Sequence, residues 1–166
     1  GPDYEGMAGY DFFNSPSVVN DIDVDGRPTA MTSTNGGNAV TELRLNGDDD
    51  VTVYVGGLTN GRAVADHLRS TDEPTYFVAA GSNGTPSPED VAGAQYIARH
   101  LHGEPPTDRE RAVVRELVAL SKGPKYEEKP PVKRTDLYEY ALAVDSREVV
   151  PKLDGQKLYD VSESTQ

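Results

Sequence analysis

The sequence predicts an α/β fold with a mainly parallel sheet, and two observations support this prediction. Short β-like segments alternate with helical segments across residues 28–102, at a spacing typical of layered α/β domains. Each of these segments also ends in a turn rich in Gly, Asn, Ser and Thr that leads directly into a helix. Consecutive βα units place such turns side by side at the carboxyl edge of a parallel sheet, where helix N-termini offer unpaired N–H groups. We therefore expect a small phosphate or carboxylate compound as the ligand.

The elements follow one another within a single domain over residues 1–166. Residues 1–27 are a loop-rich entry segment, with Tyr10, Phe12 and Phe13 as the expected core anchors. Successive βα units occupy residues 28–121. The predicted strands lie near 28–34, 51–56 and 75–80, and the predicted helices lie near 38–45, 61–70 and 88–102.

The later helices carry clear start signals. Ser87 is the predicted N-cap of the third helix, and Pro88 takes its first position. A further helix over 108–121 begins with the capping box formed by Thr107 and Glu110 and is expected to end at residues 123–124, a Gly-Pro pair. A polar connector follows over 122–134, then a C-terminal helix (135–144) and short strands (147–150 and 157–161) within residues 135–161. Residues 162–166 are a tail.

Composition narrows the possible partners. The chain has 28 acidic and 16 basic residues and therefore a net charge of −12. This charge repels nucleic acid and anionic membranes, so we expect neither of them to be a partner. The acidity is spread along the chain, as on the strongly hydrated surface of a salt-adapted protein. Cysteine is absent, which excludes disulfides and thiolate nucleophiles. No apolar run is long enough to span a bilayer and no signal-peptide pattern is present, so the predicted location is cytoplasmic.

The first turn is the strongest candidate for an anion site. Thr32, Ser33 and Thr34 supply three consecutive hydroxyls, followed by the amide of Asn35 and the unhindered N–H of Gly36. All of these groups donate hydrogen bonds to oxyanions without carrying a charge. The alternative is a purely structural turn.

The third turn is the second candidate. Gly81 and Ser82 form a loop that a ligand can approach closely, and Glu89 or Asp90 could hold a Mg²⁺ ion that bridges to phosphate. Acidic residues in the first turn of a helix are also favoured by the helix dipole alone, so simple capping is an equal alternative. Asn60 in the second turn could likewise bind a ligand or have only a structural role.

Other motifs are less informative. Asn14 and Ser15 belong to an Asn-Ser-Pro-Ser segment that could close over the site as a loop, or could be merely a turn. The three histidines are expected at the surface or at helix ends. The chain has no Walker, dinucleotide-binding or Gly-x-Ser-x-Gly motif, which disfavours an NTPase, an NAD enzyme or an α/β-hydrolase.

Several ordered segments resemble the 2-phosphosulfolactate phosphatase (ComB-like) family. The matching stretches are GYDFFNSPS at 9–17, TSTNGG at 32–37, VGGLTNGRA at 55–63 and AGSNG at 80–84, together with residues 89–94. The blocks KGPKY at 122–126 and DSREVVPKLDG at 145–155 are similar to haloarchaeal versions, which agrees with the acidity.

This resemblance implies a three-layer α/β/α fold and a Mg²⁺-dependent phosphatase. The implied reaction converts 2-phosphosulfolactate, or a related phosphorylated hydroxy acid, to sulfolactate and phosphate, a step toward coenzyme M. Thr34, Asn35 and Asp90 are then the expected catalytic residues, and Glu89 and Asp90 the expected metal ligands. The expected substrate contacts are Asn14, Ser15, Thr32, Ser33, Gly36, Asn60, Gly81 and Ser82.

One departure from the family concerns the N-terminus. Members of the family usually begin with a β-rich portion that contains an active-site motif, and the sequence starts after the place where that portion would end. We therefore expect self-association or association with such a portion. The alternative functions are a non-catalytic phosphate-binding module, half of a two-part protein, and a regulator that binds a sugar phosphate or nucleotide without turnover.

Overall fold

The structure, a computed structural model, describes residues 9, 11–12, 14–33, 35–47, 50–82, 84–129 and 131–162. Six α-helices and one π-helical segment occupy much of these ranges, together with two short strands. The helices are α1 (Pro16–Asn20), α2 (Asn35–Asn46), α3 (Gly61–Thr71), α4 (Pro88–Leu101), α5 (Asp108–Glu127) and α6 (Pro131–Thr135). The π-helical segment (Asp136–Ala141) continues directly from α6, and β1 (Pro151–Asp154) and β2 (Lys157–Asp160) form an antiparallel hairpin.

Helix α4 lies between two hydrophobic clusters because neighbouring residues of the helix point to opposite sides. Tyr96 belongs to a cluster with Leu58 and residues of α5 and the π-helical segment, whereas Ile97 belongs to a cluster with residues of α3 and Val150. The glycine at the start of α3, Gly61, makes this packing possible, because a Cβ there would lie 3.0 Å from the Tyr96 ring. The close packing of α3, α4 and α5 is thus the centre of the described fold.

The capping box predicted for α5 is confirmed, but the predicted end of this helix is wrong. Glu110 donates its backbone N–H to the Thr107 hydroxyl, and its carboxylate accepts from the Thr107 backbone N–H. The helix continues through Pro124 to Glu127. Gly123 is buried, and a Cβ there would lie 2.9 Å from the Tyr138 hydroxyl, so packing rather than helix termination explains this glycine.

The described residues form an α/β structure with only a small antiparallel sheet. The predicted strand near 51–56 is extended, and it contacts β1 through an isolated antiparallel bridge between Tyr54 and Lys152. The segments 28–33 and 73–80, where the other strands were predicted, have no regular secondary structure, and no strand pairs with them within the described ranges. A parallel ladder needs a neighbouring strand for its backbone N–H and C=O groups, and the described part of the chain does not provide one. The hairpin itself begins four residues later than the predicted strand at 147–150.

Many large apolar side chains therefore remain exposed. In the segment 73–80, Tyr76 is 87% exposed and Val78 is 59% exposed. On α5, the side chains of Val113, Leu117 and Leu120 follow one helix face that is exposed as well. None of the described helices has the length and hydropathy required to cross a membrane.

Candidate functional site

The first turn lies at the start of α2, and an amide from the entry segment contacts it. The Asn14 side chain donates a hydrogen bond of 2.8 Å to the backbone carbonyl of Thr32. Thr32, Ser33 and Gly36 are exposed to solvent. Thr34, one of the expected catalytic residues, lies outside the described residues. The structure thus brings together two segments that the sequence assigned to the same site.

Asn35 is the first residue of α2, and the helix behind it is loosely attached. No residue of α2 is buried, and α2 packs against none of the other described helices and strands. The described segment 28–47 contributes no residue to either hydrophobic cluster. The Asn14 hydrogen bond to the Thr32 carbonyl is one described contact that links the first turn to the entry segment.

Ser15 is fully buried, beside a carboxylate that sequence reasoning did not identify. Its hydroxyl lies 2.6 Å from both carboxylate oxygens of Asp136, the first residue of the π-helical segment. The backbone N–H and hydroxyl of Ser17 also donate to Asp136, over 3.1 and 2.7 Å, and the Lys133 ammonium lies 3.4 Å away. Burial alone would raise the pKa of Asp136, but the serine hydrogen bonds and Lys133 outweigh it, so the pKa is lowered.

The polar groups of the second turn already form hydrogen bonds with other groups of the protein. Both amide hydrogens of Asn60 point to backbone carbonyls, of Val55 at 3.2 Å and Val149 at 3.1 Å, and its oxygen accepts from Gly57 N–H at 2.9 Å. At the N-terminus of α3, the Arg62 N–H donates to the Asp145 carboxylate over 3.0 Å. A ligand could therefore use Asn60 only by displacing one of these contacts.

The third turn also contacts an internal carboxylate. Gly81, with a φ of +70°, donates its N–H to Asp90 over 2.7 Å, and Ser82 forms reciprocal backbone hydrogen bonds with Thr85. A Cβ on Gly81 would lie 2.7 Å from the Thr85 carbonyl oxygen, so this turn requires glycine. The structure therefore joins Gly81 to Asp90, as the predicted site requires, but through a direct hydrogen bond between protein groups.

The two carboxylate oxygens of Glu89 differ in their contacts within the described structure. One oxygen contacts the Ser87 hydroxyl and the Lys122 ammonium, and the other is buried with no hydrogen-bond partner among the described residues. Burial raises the pKa of Glu89, but the contacts with Lys122 and Ser87 dominate and lower it below its ordinary value. Ser87 precedes α4 as predicted, although its hydroxyl bonds to Glu89 rather than capping the helix. The described residues contain no cluster of three or more metal-ligating side chains.

A second buried polar network lies behind these turns. His100 is at the end of α4, as expected for a helix-end histidine, but it is buried with only 4% exposure. Its Nε2 atom lies 3.8 Å from Asp145, which accepts a 2.6 Å hydrogen bond from Tyr96. Burial lowers the pKa of His100, and burial together with the Asp145 hydrogen bond raises the pKa of Tyr96.

One open cleft of about 400 Å³ lies between α5 and the part of the chain over residues 138–146. Arg111 and Arg115 lie on its α5 side, one helical turn apart, and Tyr138 and Ser146 are on the opposite side. None of the residues that the sequence assigned to the site lines this cleft. It is therefore separate from the predicted anion turns.

Sequence reasoning missed Lys133, Asp136, Asp145 and Lys122, all of which hold the turns or their neighbouring segments. Asp136 and Ser15 are 121 residues apart, and Asp145 and Arg62 are 83 apart. No local spacing signals such contacts, because they depend on how the helices pack. Buried ion pairs become visible only in the tertiary structure.

Comparison with protein families gives one match that spans most of the chain. Residues 5–130 match the model described as 2-phosphosulpholactate phosphatase. That range contains every residue the sequence assigned to the site. Asp136 and Asp145 lie beyond it.

Curated relatives agree with this match over a shorter region. A probable 2-phosphosulfolactate phosphatase from Clostridium perfringens (strain SM101 / Type A) is 38% identical over 93 residues, covering 56% of this chain and 36% of the relative. Proteins with the same name from Clostridium beijerinckii and Deinococcus radiodurans are 30% and 36% identical, over 57% of this chain and 38% and 39% of their own lengths. The chain thus spans little more than a third of each of these relatives in the matched region. No solved structure matches the chain significantly.

Proposed function

Because the chain belongs to the 2-phosphosulpholactate phosphatase family, we propose that it carries the phosphate-binding turns of a Mg²⁺-dependent phosphoric monoester hydrolase. The proposed reaction is hydrolysis of 2-phosphosulfolactate, or a related small phosphorylated hydroxy acid, to sulfolactate and inorganic phosphate. The main support is that the family match over residues 5–130 includes all three turns. A role toward coenzyme M, a cytoplasmic location and a salt-adapted surface remain predictions from the sequence.

The first turn is the proposed phosphate site. Its exposed hydroxyls, on Thr32 and Ser33, and the N–H groups at the start of α2 can donate to phosphate oxygens. Thr34 and Asn35 complete the proposed donor set. Since the whole chain carries a net charge of −12, attraction for an anionic substrate has to come from such local donors or from a cation.

The residues at the start of α4 fit a Mg²⁺ ion that is shared with substrate. Glu89 has a carboxylate oxygen without a partner in the described structure, and one oxygen of Asp90 accepts the Gly81 N–H. Proteins commonly hold Mg²⁺ through one or two carboxylates, with water and phosphate oxygens completing its coordination. When bound, the ion would neutralise charge on the transferring phosphoryl group. The positive charge of Lys122 next to Glu89 would compete with the ion.

The test is Mg²⁺-dependent phosphate release from racemic 2-phosphosulfolactate and from an aryl phosphate, measured in molar KCl with EDTA as a control. We expect Asp90→Asn and Glu89→Gln to reduce release and to weaken Mg²⁺ binding in calorimetry. Glu116→Gln is the matched control, because Glu116 is an exposed carboxylate without a described partner and should leave both quantities unchanged. Release that is equal with and without EDTA would contradict the metal-dependent mechanism.

A second candidate function is a non-catalytic phosphate-binding module that associates with another polypeptide. The observation that favours it is the exposed apolar surface on residues 76–78 and on α5, together with the predicted strand segments 28–33 and 75–80, which pair with no strand among the described residues. Under this proposal, further strands would pair with these segments and complete the three-layer α/β/α sheet. The protein would then bind inorganic phosphate without turnover and would form a homo-oligomer or a complex, which light scattering would detect.

A further inference from the structure

We propose that the cleft between α5 and residues 138–146 binds a small carboxylate that carries an apolar body. The cleft is separate from the three turns, so this proposal goes beyond the proposed function and does not depend on it. Its volume of about 400 Å³ is near the lower end of the range for small-molecule sites, about 300–1,000 Å³. The size of the cleft thus suits one small ligand.

One wall of the cleft is a polar face of α5. Asp108, Arg111, Ala112 and Arg115 line it, and their spacing of three and four residues places them on the same side of the helix. Arg115 is exposed and forms no hydrogen bond or ion pair with another described residue, so its guanidinium is available to a ligand. In a chain with a net charge of −12, two arginines one helical turn apart supply the local positive charge that an anion needs.

Arg111 already holds a carboxylate at this wall. Its guanidinium pairs with Asp108, whose side chain is 94% exposed, and donates to the Pro106 carbonyl over 3.1 Å. Contacts with Asp108 and Tyr96 raise the pKa of Arg111, so it stays charged. A guanidinium presents several N–H groups in one plane, and the two oxygens of a carboxylate match that plane. A ligand carboxylate at Arg115 therefore competes with the exposed Asp108 side chain for Arg111.

The opposite wall is mainly apolar. Leu142 is buried in a hydrophobic cluster with Val144 packed against it, and Ala143 and Tyr138 also line this side of the cleft. The apolar body of a ligand gains free energy by leaving water against such groups. The exposed Ser146 hydroxyl, which has no described hydrogen-bond partner, offers one further donor. The two walls together match a carboxylate joined to a short apolar body.

The fold holds both walls in place without a ligand. Helix α5 packs into the same hydrophobic cluster as Leu142, through Val118. On the other side, Asp145 lies between two lining residues, and its backbone N–H donates to the Leu58 carbonyl over 2.9 Å. Its carboxylate accepts from the Tyr96 hydroxyl and from a backbone N–H of α3. A site whose groups are already ordered loses less free energy when it binds a ligand.

The experiment titrates benzoate into the full chain and follows the backbone amide chemical shifts by NMR. We expect the amides of residues 111–115 and 142–146 to move, and those of residues 32, 33, 36 and 37 to stay in place. Benzamide has the shape of benzoate without its charge, and acetate has the charge without the ring. Both should therefore bind more weakly than benzoate.

Three variants test the roles of the charged groups. Arg115→Gln should raise the Kd for benzoate about fivefold, as expected for the loss of one exposed ion pair. Asp108→Asn should lower the Kd, because it removes the carboxylate that competes for Arg111. Arg109→Gln is the matched control: Arg109 is exposed on the same helix, has no described partner and does not line the cleft. The same change in net charge should there leave the Kd unchanged.

Several results would overturn the proposal. They are the absence of any shift of the cleft amides at millimolar benzoate, equal losses of affinity in the Arg115 and Arg109 variants, and binding of benzamide or acetate as tight as that of benzoate. Movement of the first-turn amides alone would also overturn it, because the carboxylate would then bind at the first turn. Phosphatase activity plays no part in these readouts, so they decide this proposal separately from the proposed function.

Discussion

Replacing Tyr96 by Phe removes one hydrogen bond from the network that joins α4 to the loop after the π-helical segment. The Tyr96 hydroxyl donates to the Asp145 carboxylate over 2.6 Å, and the ring is only 2% exposed. Phenylalanine preserves the ring packing, including the contact with His100 at a centroid distance of 4.9 Å. The substitution therefore isolates the hydroxyl.

The expected magnitude follows from the charge on the acceptor. Hydrogen bonds to charged groups contribute about 1.5–3 kcal/mol, and Asp145 keeps its other hydrogen bond to the Arg62 N–H, so we expect a loss of about 2 kcal/mol. For 166 residues the unfolding entropy is about 0.35 kcal/mol/K, which converts this loss to a decrease in Tm of about 6 °C.

Urea unfolding followed by far-ultraviolet circular dichroism measures the change in free energy directly. The matched control is Tyr159→Phe, because Tyr159 is about half exposed and its hydroxyl has no described partner; its effect should stay within about 0.5 kcal/mol. A Tyr96→Phe loss as small as that of the control would refute the reasoning. A double-mutant cycle with Asp145→Asn should show coupling, because the two side chains share one hydrogen bond.

Three further predictions concern stability. Thr107→Ala should destabilise the protein by about 1 kcal/mol in urea unfolding, because it removes the N-cap hydroxyl of α5. An effect no larger than that of replacing an exposed threonine that caps no helix would contradict this. Asn60→Ala should cost about 2–3 kcal/mol, because it leaves Gly57 N–H and two carbonyls without their amide partner; loss of phosphate binding at full stability would instead indicate a ligand contact. His100 has a lowered pKa in the folded state, so its stabilising contribution is present above the unfolded pKa of about 6.5 and is lost as the pH falls below it. The decrease in Tm between pH 7.5 and 5.5 should therefore be smaller in His100→Gln than in wild type, and an equal decrease would argue against a neutral buried histidine.

The sequence by itself determined the local features of this protein. The helices after each of the three turns and the capping box at Thr107 were predictable, because helix starts depend on neighbouring residues: a capping side chain, a proline, and the N–H groups within one turn. Membership of the family was also predictable, since ordered motifs such as TSTNGG do not depend on knowing the fold.

The tertiary structure decided which polar groups are already engaged. Asn60 and Asp90 matched a ligand-binding pattern in sequence, yet their side chains bond to backbone groups of their own surroundings. Asp136 gave no local signal, but packing of the π-helical segment on α1 places it against Ser15. Strand pairing was equally beyond the sequence, because an extended segment becomes a strand only when a neighbour supplies partners for its backbone. Local chemistry fixes where helices begin, whereas burial and long-range partners decide what each polar side chain can do.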